Sequence, residues 1–346
     1  MKKLLPLLLI FIVQAIFAQQ AYYNDVDLTL TGQDLYYELQ SKIDNASSSF
    51  TYGDVRDTVK ITDEDTSNSN NVLLVYGFDD TGSCKTDRTR DKDDYGGSTC
   101  EYNREHVFAR SNASPSMGDA NNSYTGIVAD PHNIRPSDQQ MNGDRGNKKF
   151  TDGSGNSGNT GGNWYPGDEW KGDVARMMMY MYTRYEDRCR PSLNGAGATQ
   201  GSTEMLQVYL QWNVDDPVSE FEDQRNPHLE NAYGNRNPFI DNPYLATIIW
   251  GGEPAEDRWN LFSVEDNLFE TLVVYPNPAT DTIWVQNSTF IEGTITLYDI
   301  LGKVILQDKM DSSTKSMNVS NLTEGFYLIR ISSGNKQTTK KVVIKH

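Results

Sequence analysis

The sequence has 346 residues, of which 37% are hydrophobic and 23% charged, a composition that is typical of a soluble globular protein with a buried core. The formal net charge is −17, and because both the N-terminal residues and residues 271–346 are net positive, residues 19–270 carry −21. This charge argues against a protein whose function is tight, non-catalytic binding of nucleic acid, since phosphate neutralisation needs a basic surface. It does not exclude an enzyme that releases its product and draws local positive charge from a divalent metal and a few arginines.

The N-terminus has the pattern of a secretory signal peptide. Lys2 and Lys3 precede an apolar run over 4–17, and the small residue Ala18 follows it. We therefore expect residues 1–18 to act as an export signal. No later run reaches ~18 apolar residues, so we expect no transmembrane helix in the mature chain.

Helical and strand patterns follow in chain order. A β-rich run predicts a strand over 71–78, and polar, glycine-containing stretches at 79–100 and 151–163 predict loops. A stripe of methionines at helical spacing over 170–185 predicts a buried helix. Helices are predicted over 32–47, near 136–149, and over 170–185, 203–211 and 218–231.

The character of the sequence changes near residue 270, where helical patterns give way to short alternating strands. Strands are predicted over 282–286, 294–298, 303–307, 326–331 and 339–344. We therefore predict an α+β domain over 19–265, a linker over 266–271 and a small all-β sandwich over 272–346. The sandwich holds no cluster of titratable residues, so we assign no catalysis to it.

The three cysteines are Cys84, Cys100 and Cys189. In an exported protein one disulfide and one free thiol are the simplest outcome, and the sequence leaves all three pairings open. There is no CxxC spacing, which argues against a cysteine-based zinc site.

The residues that favour catalysis lie in one polar window, 101–149, which contains two of the four histidines and balances six basic against six acidic residues. Phosphodiester hydrolysis needs a base, a Lewis acid and cationic groups for the phosphate oxygens. His106 is a candidate base near neutral pH, and Glu105 and Asn142 offer hard oxygen ligands suited to Mg²⁺. Candidate phosphate donors are Arg104, Arg110, Arg135 and Arg145.

Several blocks in this region resemble the endonuclease I family, whose members share a ββα-metal, or His-Me finger, active site. These blocks are REHVFARS, ADPHNIRPSD, MNGDRGNKKF, WYPGDEWKGDVARMMMYMY and YGNRNPFIDNPYLATIIW, in this order within 30–260. The resemblance implies a metal-dependent endonuclease that hydrolyses DNA, and also RNA, with little sequence specificity and leaves 5′-phosphate ends.

The resemblance also implies roles for individual residues. His106 matches the general base, Glu105 and Asn142 match the two protein ligands of a Mg²⁺ ion (with Mn²⁺ or Ca²⁺ as alternatives), and Arg110 is the candidate clamp for the scissile phosphate. The DxHN block is expected to support these groups from behind, through Asp130, His132 and Asn133. Further contacts with the substrate are expected from Arg104, Arg135, Arg145 and Lys148.

Two features depart from a simple correspondence. Some relatives carry an acid two positions before Asp130, where this chain has Val128, so any role of that acid is in doubt. In addition, adjacent residues on a regular strand point to opposite faces, so Glu105 and His106 are predicted to sit at a strand end or a bulge.

The C-terminal segment resembles the type A sorting domain of the type IX secretion system. The matching blocks are VVYPNPATD, LYDILGKVI and LTEGFYLIRISSGNKQTTKKVVIKH. The resemblance implies passage across the outer membrane with the secretion machinery as a partner, and hence a secreted or cell-surface location.

Two other functions fit parts of the sequence. A zinc hydrolase of another class would use His106, His132 and His228 with a carboxylate, although no HExxH pattern is present. A non-enzymatic, acidic surface adhesin would bind Ca²⁺ through its loops, although no DxDxDG repeat is present.

Overall fold

The computed structural model describes residues 21–261, 269, 272–287, 292–311, 313–333 and 336–346. The chain forms two compact units, the first ending at Trp259 and the second beginning at Asn260. The predicted signal peptide at 1–18 lies outside the described residues, as does most of the predicted linker at 266–271. No helix in the described part of the chain is long and apolar enough to cross a membrane.

The first unit combines helices with short antiparallel strands, and its α+β class is as predicted. The helices are α1 (Gly32–Asp44), α2 (Tyr52–Thr62), α3 (Gln139–Arg145), α4 (Lys171–Tyr185), α5 (Pro191–Asn194), α6 (Gln207–Asp215), α7 (Glu220–Tyr233), α8 (Pro238–Asp241) and α9 (Tyr244–Trp250). The strands are β1 (Glu64–Asp65), β2 (Asn68–Leu73), β3 (Thr89–Asp91), β4 (Tyr102–His106), β5 (Ile134–Asp138), β6 (Gly158–Thr160) and β7 (Asn163–Tyr165). They pair as β1-β2-β3, β4-β5 and β6-β7.

Helix α4 forms the centre of this unit. Its methionine stripe is buried, with Met178, Met179 and Met181 fully inaccessible to solvent. The stripe therefore packs in the core, as its helical spacing predicts.

Strands β4 and β5 and helix α3 form a ββα arrangement. β4 pairs antiparallel with β5 in an unbroken register that runs from Tyr102↔Asp138 to His106↔Ile134. The helix follows β5 directly, because the Asp138 side chain accepts hydrogen bonds from the backbone N–H groups of Gln140 and Met141.

The predicted helix near 136–149 is thus wrong at both ends. All five residues of β5 are buried, and a strand buried on both faces has no alternation of apolar and polar residues by which to recognise it. The helix ends because Gly146 adopts φ +55°, a conformation that favours glycine.

Helix α2 was not predicted at all. Its N-terminus is a capping box in which the Thr51 hydroxyl accepts from the Asp54 backbone N–H and the Asp54 carboxylate accepts from the Thr51 N–H. Val55 and Val59 of this helix pack against Ala129 and Ile134, so α2 lies directly against the ββα arrangement.

A buried ion network joins α2, β5 and α4. Arg135 of β5 donates to Asp63 at 2.5 Å and to Asp173 of α4 at 2.9 Å, and Arg225 of α7 also pairs with Asp63. The Asp63 side chain is completely buried between the two guanidinium groups. Each charge here is compensated, which is the condition for keeping ions inside a protein.

The second unit is a β-sandwich, as predicted. Its strands are β8 (Val273–Tyr275), β9 (Thr282–Gln286), β10 (Gly293–Asp299), β11 (Val304–Met310), β12 (Thr314–Asn318), β13 (Gly325–Ser333) and β14 (Lys336–Ile344). They form the sheets β11-β10-β13-β14 and β12-β9-β8, between which an apolar core is buried. Strands β8 and β12 were not predicted, because β8 is only three residues long and β12 has a single apolar residue, Met317.

The buried network makes a testable prediction about stability. Asp63→Asn leaves Arg135 and Arg225 without their shared counter-ion, so we expect a loss of about 3–5 kcal/mol in the free energy of unfolding. The measurement is urea unfolding followed by tryptophan fluorescence. The matched control is Asp25→Asn, which breaks an exposed pair with Lys42 and is expected to leave the midpoint unchanged. Equal midpoints for the two variants would contradict the prediction.

Candidate active site

A cleft of about 490 Å³ opens where β4, α2 and α3 meet. It brings together the predicted base His106, the predicted metal ligands Glu105 and Asn142, and the predicted clamp Arg110. The complete lining is Tyr52, Arg104, Glu105, His106, Ala109, Arg110, Ser111, Ser116, Gly118, Asp119, Asn142, Gly146 and Asn147. The cleft thus gathers residues that are up to 95 positions apart in the sequence.

Glu105 is held by an ion pair with the buried side chain of Arg145. Its Oε1 accepts hydrogen bonds from Arg145 Nη1 at 3.0 Å and from the Tyr76 hydroxyl at 3.1 Å. Burial raises the pKa of Glu105 to about 7, although the Arg145 guanidinium acts to lower it. A buried carboxylate at the wall of a polar cleft is well placed to accept a further cation.

His106 is the last residue of β4, and this strand end is what allows it to share the cleft with Glu105. No bulge is needed, because the β4–β5 register is regular up to this point. The ring Nε2 lies 2.9 Å from the carbonyl oxygen of Val128. Burial lowers the pKa of His106 to about 4, so the ring is neutral at pH 7.

An aromatic stack holds the plane of the His106 ring. Tyr52, the first residue of α2, lies parallel to it with ring centroids 5.4 Å apart and an interplanar angle of 19°. The Arg104 guanidinium lies 3.6 Å from the centre of the Tyr52 ring and also donates to the Tyr52 carbonyl. The capping box at Thr51 positions this tyrosine, so a local helix start contributes directly to the site.

Asn142 projects from the middle of α3. Its Nδ2 donates to the Asn103 side-chain oxygen at 2.7 Å. The amide oxygen is therefore the atom of the Asn142 side chain that can act as an acceptor or a ligand. Asn142 Oδ1 and the Glu105 carboxylate are both hard oxygen donors.

The charged groups that line the cleft are balanced. Arg104 and Arg110 supply two positive charges, and Glu105 and Asp119 supply two negative charges. Arg110 donates to the Gly118 carbonyl at 2.5 Å, which holds its side chain along the cleft wall.

Three of the predicted substrate contacts lie elsewhere. Arg135 is bound in the buried network with Asp63 and Asp173, and Arg145 is fully buried beneath Glu105, so neither faces the cleft. Lys148 is on the surface but lines a separate groove on the other side of α3. We therefore assign Arg135 and Arg145 to support of the fold and not to contact with the substrate.

The DxHN block lies behind the cleft. Asn133 accepts from the Phe108 N–H at 2.7 Å and donates to the Phe108 carbonyl at 3.1 Å, which fixes the chain just after His106. Asp130 is completely buried and accepts from Arg184 at 2.7 Å. His132 Nε2 lies 3.0 Å from the Asn235 side-chain oxygen. None of these three side chains lines the cleft, which agrees with a supporting role.

The positions of the histidines do not favour the zinc hydrolase hypothesis. His132 is buried beside Asn235, His228 is exposed on α7, and His106 is the described histidine that lines the cleft. In the described part of the chain no group of three or more His, Cys, Asp or Glu residues is placed to hold a metal ion.

Three residues of the site were missed by sequence reasoning: Tyr52, Tyr76 and Asn103. Tyr52 lies within a Thr-x-x-Asp pattern, Thr51 to Asp54. This pattern marks a helix start and was available in the sequence. Tyr76 and Asn103 carry no local signal, since their roles depend on partners 29 and 39 positions away.

Cys84 and Cys100 form a disulfide, and Cys189 is a buried free thiol. This selects one of the three pairings that the sequence left open. The bridge closes the loop that carries Lys85 and Arg90 on the flank of α3.

The sequence matches the Endonuclease I family over residues 31–244. The chain belongs to the Endonuclease I family. It is therefore a nuclease, and the adhesin hypothesis is not retained. Residues 273–345 match the secretion system C-terminal sorting domain, so the second unit of this nuclease is a sorting domain.

Named relatives agree with this assignment. The nuclease is 39% identical over 235 residues to the extracellular ribonuclease of Bacillus subtilis (strain 168), covering 64% of this chain and 75% of that protein. It is also 39% identical over 224 residues to the extracellular ribonuclease of Bacillus amyloliquefaciens, covering 60% and 71%. It is 26% identical over 129 residues to the extracellular deoxyribonuclease of Aeromonas hydrophila, covering 34% and 51%.

The stack on His106 makes a second testable prediction. Tyr52→Leu removes the flat surface that holds the imidazole plane, and we expect kcat for nucleic-acid cleavage to fall roughly 10- to 100-fold with little change in KM. Tyr52→Phe keeps the ring and is expected to retain kcat. Steady-state kinetics measures both, with circular dichroism as the control for folding. A Phe variant as impaired as the folded Leu variant would rule out stacking as the cause.

Proposed function

We propose that this protein is a secreted, metal-dependent endonuclease that hydrolyses phosphodiester bonds of DNA, and also of RNA, with little sequence specificity. His106 would act as the general base, and the products would carry 5′-phosphates. The observation that carries the proposal is the single cleft in which Glu105, His106, Arg110 and Asn142 come together.

The hydrogen bond from His106 to Val128 supports the role of base. A carbonyl oxygen can only accept, so the Nε2 atom carries the proton in the neutral ring. Nδ1 then keeps its lone pair and is the atom that would take a proton from water. The lowered pKa of His106 keeps the ring neutral at neutral pH, and the bond to Val128 selects this tautomer. The activated water would attack phosphorus in line with the leaving 3′ oxygen.

Arg110 is the best-placed residue to hold the scissile phosphate. Its side chain lines the cleft together with His106 and is not part of a buried ion network. Arg104 lines the same cleft but is already engaged by the Tyr52 ring and the Asn122 side chain at 3.0 Å. Arg110 would therefore bind the phosphate oxygens, while Arg104 holds the stack on His106.

Glu105 and Asn142 would hold the metal ion, which we propose to be Mg²⁺, with Mn²⁺ or Ca²⁺ as substitutes. The fit rests on two hard oxygen donors, the Glu105 carboxylate and the Asn142 amide oxygen, in residues that line the same cleft. When bound, the ion would stabilise the negative charge that develops on the phosphoryl group and the leaving oxygen. Arg145 keeps Glu105 pointed toward the cleft through its bond to Oε1.

The relatives support a substrate class broader than one kind of nucleic acid. Two of them are named as ribonucleases and one as a deoxyribonuclease. All three are named as extracellular proteins, which together with the sorting domain supports export. Passage through a type IX secretion machinery is part of the proposal, and the N-terminal pattern of residues 1–18 supports the first export step.

The role of base makes a third testable prediction. His106→Ala is expected to lower kcat by about 10²- to 10⁴-fold, because general-base catalysis is worth that much. The assay is nicking of supercoiled plasmid in the presence of Mg²⁺. The matched control is His228→Ala, an exposed histidine on α7, which is expected to cleave at the unaltered rate. Full activity of the His106 variant would exclude this residue as the base.

The metal site makes a fourth prediction, with a readout independent of turnover. Mn²⁺ binding, followed by electron paramagnetic resonance, is expected at one site of the unaltered protein and to weaken at least ~10-fold in Glu105→Gln and Asn142→Ala. Asp119→Asn, a change in the same cleft, is expected to bind Mn²⁺ as the unaltered protein does. EDTA is expected to abolish nicking and Mg²⁺ to restore it. Unchanged Mn²⁺ affinity in both ligand variants would refute the assignment.

A further inference from the structure

A second groove, of about 620 Å³, lies on the opposite side of α3 from the catalytic cleft. We call it the α3 groove. Its lining combines polar with apolar side chains, and its charged residues are Lys85, Asp144 and Lys148. The proposed function gives this surface no role. Of its residues, only Lys148 was predicted from the sequence to contact the substrate.

The two depressions are separated only by α3 and the turn that follows it. Asn142 lines the catalytic cleft and its neighbour Gly143 lines the α3 groove, and the same holds for Asn147 and Lys148. The barrier between the two depressions therefore has the width of α3 itself.

The width of that barrier matches the repeat of the substrate. An α-helix with its side chains is about 10–12 Å across, and one DNA strand carries a phosphate about every 3.4 Å along the helix axis. A nucleic acid that has one phosphate beside His106 and crosses α3 would therefore bring phosphates about three positions away to the far side of the helix.

The lysines of the α3 groove are held on rigid supports. Lys85 lies in a short 3-10 helix, Cys84–Thr86, whose first residue is bonded to Cys100. Lys148 follows the turn at Gly146 and donates to the Asp144 carbonyl. The Lys85 amine pairs with the Asp144 carboxylate, and both side chains remain accessible, at 36% and 53%. Two ammonium groups thus converge on one groove in a unit with a large negative charge.

We propose that the α3 groove binds backbone phosphates of the nucleic-acid substrate about three nucleotides from the bond that is cleaved. Lys85 and Lys148 supply the contacts, and the Asp144 carboxylate weakens them, which favours release of the cleaved product. The inference rests on the proposed function, and it adds that efficient cleavage needs a substrate several nucleotides long.

The test compares a long and a short substrate in the full-length protein. The substrates are a 30-base-pair DNA duplex and the p-nitrophenyl ester of thymidine 5′-monophosphate, a diester too short to reach the groove. The double variant Lys85→Gln/Lys148→Gln is expected to raise KM for the duplex at least ~10-fold and to reduce the slope of log affinity against log salt by about 2. Its kcat/KM for the short ester is expected to be unchanged.

Two further variants sharpen the test. Asp144→Asn removes the opposing carboxylate and is expected to lower KM for the duplex. Lys149→Gln makes the same charge change one position away, in a side chain that donates to the Ser192 carbonyl and lines neither depression. It is expected to leave KM within about twofold, because this side chain is bonded to Ser192 and lines neither depression.

Three outcomes would overturn the proposal: equal effects of the double variant and of Lys149→Gln, equal losses on both substrates, or an unchanged salt slope. Failure of the proposed function is distinguishable, because the unaltered protein would then cleave neither substrate. In that case fluorescence anisotropy of a labelled duplex with the same variants in EDTA still measures whether Lys85 and Lys148 bind phosphates.

Discussion

The ion pair between Glu105 and Arg145 is the interaction on which the site depends. Arg145 is completely buried at the end of α3, and its guanidinium binds Glu105 at 3.0 Å, the His106 carbonyl at 3.1 Å and the Val107 carbonyl at 2.6 Å. The Arg145 side chain therefore links the helix that carries Asn142 to the strand that carries Glu105 and His106. Removing either charge would leave its partner desolvated, which costs far more than the pair contributes.

Around this pair, apolar contacts and polar contacts have different roles. The apolar core packs α2 against the ββα arrangement, and the buried ion pairs of Arg135 with Asp63 and Asp173 fix the positions of α2 and α4 relative to β5. The DxHN block then fixes the chain beyond His106 from behind. A catalytic side chain needs to be held to within a fraction of an ångström, and these polar contacts provide direction where apolar packing provides only proximity.

The electrostatics of the unit suit an enzyme that turns over and does not retain its product. Residues 19–270 carry −21, yet the cleft and the α3 groove each bring two cationic side chains to the surface. In both places acidic groups stand beside the cations: Asp119 and Glu105 in the cleft, and Asp144 in the groove. The cationic side chains attract nucleic-acid phosphates while the net negative charge of residues 19–270 repels them. This combination limits the affinity for nucleic acid and makes that affinity sensitive to salt.

The sequence by itself determined the class of each unit, the β-sandwich and the buried face of α4, and it supplied the proposed catalytic set Glu105, His106 and Asn142. These follow from local periodicity and from blocks of adjacent residues, so one-dimensional information suffices. The tertiary structure alone decided which arginines line the cleft. Arg110, Arg135 and Arg145 are equally suitable donors in the sequence, but only Arg110 lines the cleft, because buried carboxylates distant in sequence bind the other two. It also decided that Tyr52 stacks on His106 and that Cys84 pairs with Cys100, since each depends on where separate segments meet in space.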